Sequence, residues 1–284
     1  VLGGGGALVF CGYLYTRRMP HATDFTSFAA DPWPADWLVP KGLPAQVGAL
    51  MSARSGGVSQ GVYASMNLGE FVGDASAAVA GNRERLARYA GVPAVYLKQV
   101  HGSVVVQVDA RDAWPQAARC HEADACVTTE RGLACLIQTA DCLPALFAAP
   151  NGRAVGAAHA GWRGLASGVL ENTLQSVAAL AACEPHEVSV WLGACIGPDD
   201  FEVGADVLQA FGREIVPGVS AAGFVANERQ RWWADLAGLA RERLQHAGVI
   251  HLSGGCWPTR DSRFFSFRRD AGVTGRMGAA IWIR

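Results

Sequence analysis

The sequence has no C-x-x-C pair, although it holds eight cysteines. Without closely spaced thiols, a zinc ribbon and a thioredoxin motif are excluded. Charge is scarce as well. Charged residues make up 17% of the chain, and 24 basic residues stand against 25 acidic ones. Such a balance lacks the basic stripe of a nucleic-acid binder or an anionic-membrane binder, so neither partner is expected. No apolar run spans a bilayer; LGGGGALVFCGYLY, Leu2 to Tyr15, is too short. Its basic pair, Arg17–Arg18, follows the apolar run, the reverse of a secretory signal. Internal repeats and low-complexity tracts are missing, which excludes solenoids and flexible arrays. Histidine is limited to seven positions (21, 101, 121, 159, 186, 246 and 251), fewer than multicopper oxidation requires.

What is present suits a compact enzyme. Half of the 284 residues are hydrophobic, enough for one large core. The cysteines (11, 120, 126, 135, 142, 183, 195 and 256) are dispersed, several in apolar runs. Buried free thiols and a reducing, cytoplasmic compartment are the reading. Residues 1–30 differ from the rest and read as an N-terminal extension, with Met19 as a candidate natural start. Residues 31–284 read as one catalytic domain.

Along that domain the pattern alternates between strand and helix. Strands are expected at 47–53, 95–100, 104–109, 125–129, 133–138, 188–192, 249–252, 264–268 and 279–283. Helices are expected at 74–90, capped by Asp74 or Ser76, and at 165–182, 206–214 and 231–246. The fold class is α/β, a mixed α+β sandwich: a single domain of mixed sheets flanked by helices.

Chemistry concentrates where apolar runs end. In GRAVGAAHAGWRGLASG a strand runs out at His159, and a turn flanked by Gly161 and Gly164 leads to a helix opening near Leu165. LIQTADCLPALF ends a matching run at Asp141–Cys142, and VYLKQVHGSVVVQVD places His101 before a glycine. Two imidazoles and a thiolate on one sheet rim make a set suited to Zn²⁺ with a position left open. Copper is the weaker alternative, since no methionine stands near as an axial ligand. A metal-free reading uses the same residues: Cys142 as nucleophile, His159 as base and Asp141 or a glutamine as orienter. Arg54, Ser55, Gly56 and Gly57 form either an anion-binding nest or a glycine turn with a solvated arginine. Arg163 at a helix N-terminus is either a phosphate ligand or a surface ion-pair partner. Arg268 and Arg269 read as a solvated pair.

The strings LKQVHG, TADCLP, AAHAGWRG, GACIGP followed by FEVG, and FFSFRRDAGVTGRMGAAIW resemble the YfiH family, over roughly Asp36 to Arg284. Members carry the labels laccase-domain protein, polyphenol oxidoreductase and purine nucleoside phosphorylase. The resemblance implies one zinc ion on His101, Cys142 and His159. It also implies a sandwich fold related to Cys–His deamidases. The implied activity is phosphorolysis of adenosine, inosine, guanosine and 5′-methylthioadenosine, with adenosine deamination beside it. A purine nucleoside and phosphate are then the partners, with Arg54, Ser55, Asn67 and Arg163 as candidate binders and Cys142, His159 and Asp141 as candidate catalytic residues. Two other classes stay open: a Cys–His amidase editing peptidoglycan precursors, and a nucleotide-binding module without catalysis.

Overall fold

The computed structural model describes residues 32–117, 120–255 and 260–284. The proposed extension, residues 1–30, lies outside the described residues. Thirteen strands and five α-helices follow one another among those described. They are β1 (Val47–Met51), α1 (Ser76–Ala90), β2 (Ala94–Val95), β3 (Val105–Gln107), β4 (Ala125–Thr128), β5 (Ala134–Thr139), β6 (Leu143–Ala148) and β7 (Val155–Ala160). Then come α2 (Trp162–Ala166), α3 (Val169–Ala181), β8 (Ser189–Leu192), β9 (Glu202–Val203), α4 (Ala205–Ala210), β10 (Phe224–Ala226), β11 (Trp232–Ala234), α5 (Leu236–His246), β12 (His251–Gly254) and β13 (Met277–Ile283).

Two sheets carry the architecture. One has four strands in the order β1-β13-β5-β2, the other six in the order β12-β8-β6-β7-β4-β3. A small three-stranded sheet, β10-β11-β9, stands apart. Both large sheets mix parallel and antiparallel pairs. The fold is therefore the mixed α/β sandwich that the residue pattern predicts.

Alternation along the strands assigns the layers. On β6, Leu146 and Ala148 join the cluster with Ile281, Ile137 and Trp191, while Leu143, Ala145 and Phe147 join the cluster built with α3 and α5. On β7, Val155 and Ala157 face the first cluster, and Ala158 and Ala160 the second. The central strands β4, β6 and β7 of the six-stranded sheet are thus buried on both faces, which explains why they read as continuous apolar runs. His159 keeps the parity of Val155 and Ala157. It therefore ends its strand on the face turned toward the four-stranded sheet.

Several local expectations need correction. The helix after β7 opens at Trp162, not Leu165, and Gly161 is its N-cap. It breaks at Gly168, whose φ of 90° lies in the left-handed region that glycine tolerates, before α3 begins. Neither Asp74 nor Ser76 caps α1: the N-cap is Ala75, and the Asp74 carboxylate instead accepts from Ser59 Oγ and Asn67 Nδ2. Residues 231–246 split into a strand, β11, and a helix, α5, capped by Asp235. Residues 264–268 form turns rather than a strand, with Phe264 and Phe265 fully buried. Cys126, Cys135 and Cys195 are buried free thiols as read, whereas Cys120 is exposed. No helix among the described residues is long and apolar enough to cross a membrane.

Candidate metal centre

Strand register brings the chemistry together. In the β6–β7 pair, Leu143 faces Ala160, so Cys142 arrives beside Gly161. In the β4–β7 pair, Ala125 faces Ala158, which puts Asp124 next to His159. β3 runs parallel to β4 with Val105 opposite Ala125, so the chain just before β3 passes the same rim and delivers His101. The donor atoms of His101, Cys142 and His159 all lie within 4.8 Å of one another. Cys142 Sγ sits 3.8 Å from His101 Nε2, and the two imidazole rings are 4.9 Å apart at 72°. No other group of three or more His, Cys, Asp or Glu side chains converges in this way among the described residues.

Asp124 organises this rim, and the sequence reading missed it. Its carboxylate is fully buried. It accepts the backbone N–H groups of Val100 (3.1 Å), His101 (2.9 Å) and Gly102 (2.7 Å), and it pairs with His159 Nδ1 at 2.8 Å. The three amide bonds hold His101 in the left-handed region at φ 62°. A second strained backbone, Asp141 at φ 89°, precedes Cys142. The signal available in sequence was slight: one aspartate ahead of an apolar strand reads as a turn residue.

Electrostatics follow from this geometry. Burial alone raises the carboxyl of Asp124, but His159 and the amide donors outweigh it and hold the group below the usual carboxylate range. For Cys142, burial pushes the thiol up, while the His159 charge and hydrogen bonds from both imidazoles bring it down to about 6. For His159, burial opposes the charge, yet Cys142 and Asp124 together lift the imidazolium to about 9. The metal-free rim is an imidazolium–thiolate pair.

The donor set fits a metal ion. Nδ1 of His159 is committed to Asp124, so Nε2 is the nitrogen turned to the cluster. A Cβ on Gly161 would meet His101 Cδ2 at 2.8 Å and Cys142 Sγ at 3.1 Å, so only glycine lets the donors close in. A Cβ on Gly164 would lie 2.6 Å from Gly102 O, so that glycine seats α2 against the His101 loop.

The cluster opens into a cavity of about 520 Å³. Phe71, Phe201, Phe267 and Trp162 supply aromatic walls, and Arg163, Arg268 and Arg276 supply cations. Each arginine lies over a ring: Arg163 over Trp162 at 4.3 Å, Arg268 over Phe201 at 5.8 Å and Arg276 over Phe267 at 5.7 Å. Arg268 and Arg269 are both exposed, as read, but Arg268 also lines the cavity while Arg269 pairs with Asp270. Arg276 was not singled out in the sequence, where it reads as part of a glycine loop.

Other sequence candidates sit elsewhere. Arg54 lies over Phe265 at 4.7 Å and donates through Nε to Ala64 O. Ser55 Oγ donates to Asp36, and buried Asn67 binds Gly69 and Arg276 backbone. None of the three lines the cavity. Asp141 does line it, but its Oδ2 accepts the Arg268 N–H at 2.6 Å, and the carboxylate that orients His159 is Asp124.

Comparison with known proteins places this site in company. The sequence profile of the family described as multi-copper polyphenol oxidoreductase laccase matches residues 48–284. The chain is similar to the purine nucleoside phosphorylase YfiH of Escherichia coli, with 42% identity over 251 residues, 87% of this chain and 96% of that one. It is 44% identical to a purine nucleoside phosphorylase of Pseudomonas aeruginosa, over 87% and 98% of the two chains. Among solved structures, a Neisseria meningitidis protein superposes with a TM-score of 0.78 at 44% identity, covering 87% of this chain and 98% of the other. YlmD from Geobacillus stearothermophilus gives 0.80 at 32% identity, covering 89% and 98%.

Proposed function

The chain belongs to the multi-copper polyphenol oxidoreductase laccase family, and from its similarity to YfiH of Escherichia coli we propose that it is a zinc-dependent purine nucleoside phosphorylase. The single observation that carries this reading is the convergence of His101, Cys142 and His159 on an aromatic- and arginine-lined cavity. The names of the relatives support the reaction class. Two imidazoles and one thiolate suit zinc with a position left open; copper is the weaker alternative because no methionine lines the cavity as an axial ligand, and multicopper chemistry finds no second cluster among the described residues.

His101, Cys142 and His159 would hold the ion, which when bound supplies Lewis acidity for phosphorolysis and for a second activity, deamination of adenosine. The chain's own residues do the rest. Asp124 keeps the proton of His159 on Nδ1 and fixes the ring. Phe71, Phe201, Phe267 and Trp162 offer flat surfaces to a purine. The arginines offer donors to phosphate, and Arg163 is the one legible in sequence. Substrates are adenosine, inosine, guanosine and 5′-methylthioadenosine. The site works in the cytoplasm, where free thiols persist.

One observation favours a second reading. Cys142, His159 and Asp124 stand in the order nucleophile, base and orienter, and the metal-free thiol is brought down to about 6. That arrangement suits a thiol amidase acting on a cell-wall precursor. Incubating metal-quantified protein with adenosine, with and without phosphate, separates the readings. Adenine and ribose 1-phosphate that appear only with phosphate support the phosphorylase. Failure of the zinc-loaded protein to turn over any purine nucleoside rejects it.

A further inference from the structure

Three arginines face the cavity, and they are not equivalent. Arg163 and Arg268 are exposed, whereas Arg276 is half-buried. Arg276 Nη1 donates to the carbonyls of Thr274 and Gly275, both at 3.0 Å. Among the described residues its Nε and Nη2 make no hydrogen bond, and no carboxylate lies within ion-pair distance. A guanidinium in this position is a partly desolvated cation with two donor nitrogens to spare. An anion that reached it would be bound in a medium where charge counts for more than at the surface.

The protein spends structure on holding this side chain. Asn67 Oδ1 accepts both Arg276 N and Gly69 N at 2.9 Å, and Leu68 N donates to Arg276 O at 3.1 Å. The 67–69 turn is thereby fastened to the arginine's backbone. A Cβ on Gly69 would meet Arg276 Cγ at 2.7 Å, so the glycine leaves the lane in which the side chain lies. Phe267 closes the other side at 5.7 Å. Glu70, the acid next to this lane, is engaged by Arg83 at 3.3 Å. Burial lowers the basicity of Arg276, and the charges of Cys142 and Asp141 partly restore it, so the arginine stands within electrostatic reach of the metal rim.

We propose that Arg276 binds the inorganic phosphate of the reaction, and that Asn67 and Gly69 are positioning residues that aim it. The two remaining donor groups match the paired oxygens of a tetrahedral oxyanion. The role rests on the phosphorylase reading for its kinetics but not for its binding.

The test titrates inorganic phosphate into zinc-loaded, full-length protein by calorimetry, for wild type, R276Q and G69A, with zinc content and melting temperature measured alongside. Phosphate affinity falls about tenfold or more in R276Q, the loss typical of a charge-assisted contact. G69A retains the charge but displaces it, and weakens phosphate severalfold with zinc content unchanged. In turnover, the KM for phosphate rises in both variants while the KM for the nucleoside stays near wild type. Phosphate affinity unaltered in R276Q overturns the proposal; should R276Q not fold, unaltered affinity in G69A overturns it instead. A wild type that binds no phosphate overturns it too. So does a variant that loses affinity for adenosine 5′-monophosphate but not for phosphate. Phosphate binding that R276Q abolishes, in a protein without phosphorolysis, supports Arg276 and counts against the proposed function alone.

Discussion

The Asp124 carboxylate and the His159 imidazole, both buried, meet at 2.8 Å, with Oδ1 facing Nδ1. This pair decides which nitrogen of His159 faces the cluster. The same carboxylate anchors the backbone of His101, so one side chain sets two of the three donors. Asp124→Asn is therefore predicted to weaken zinc binding by about 10- to 100-fold, the range for losing a partner that orients a ligand. Competition against a chelator of known affinity measures it, and an unchanged affinity contradicts the assignment.

Gly161→Ala tests the closeness of the donors. Its Cβ would press on His101 and Cys142 while leaving every donor atom in the chain. Zinc occupancy is expected to drop, with the circular dichroism spectrum unaltered. Full occupancy would mean that the cluster does not need this glycine.

Metal binding should release protons in a defined number. At pH 7 the metal-free Cys142 is already a thiolate, and His159 is still an imidazolium. The Nδ1 proton stays with Asp124, so only the Nε2 proton must leave. About one proton per zinc is predicted from calorimetry in buffers of different ionisation enthalpy. Two protons per zinc would contradict this protonation state of the metal-free site.

How far the site could be read in advance depended on where its residues lay. His101, Cys142 and His159 stand at the ends of apolar runs, and sheet register carries such ends to a common rim. Asp124 and Arg276 gave no comparable signal, because their roles come from contacts made across the fold: Asp124 with the 100–102 loop, Arg276 with the 67–69 turn. Arg54 misled in the opposite direction. Its glycine loop has the composition of an anion nest, yet Gly57 is packed so that a Cβ would strike Ser65 O at 2.1 Å, and the loop folds on itself. Element boundaries failed where two patterns overlapped. WWADLAGLA suits a strand or a helix, and the structure makes it both, with Asp235 as the cap between them.

Asn82 illustrates a structural prediction away from the site. It is fully buried, accepts Val58 N–H, and donates to Ser59 Oγ, Ser65 O and Asn67 O. Asn82→Ala leaves several of these groups without partners and should cost about 3 kcal/mol of stability. Chemical denaturation reads this directly, and a loss under about 0.5 kcal/mol, the scale of a surface change, would contradict it.

Acid should destabilise the fold from a known direction. Burial raises the Asp270 carboxyl, but hydrogen bonds from Arg269 and Thr274 outweigh it and hold the group below its ordinary value. A depressed folded value gives stability that is present above the unfolded pKa, near about 4, and is lost as pH falls through the folded one. Melting temperature is predicted to decline below about pH 4, and Asp270→Asn to flatten part of that decline. An unchanged acid slope in the variant would remove Asp270 from the account.

The central claim is that a metal on His101, Cys142 and His159 carries phosphorolysis of purine nucleosides. Its most direct test follows ribose 1-phosphate formation from inosine as zinc is stripped and returned, in wild type and in His159→Ala. The account predicts a rate proportional to bound zinc, lost on stripping, recovered on return, and absent in His159→Ala together with the metal. Full activity in the stripped protein, or full zinc occupancy in His159→Ala, would contradict it.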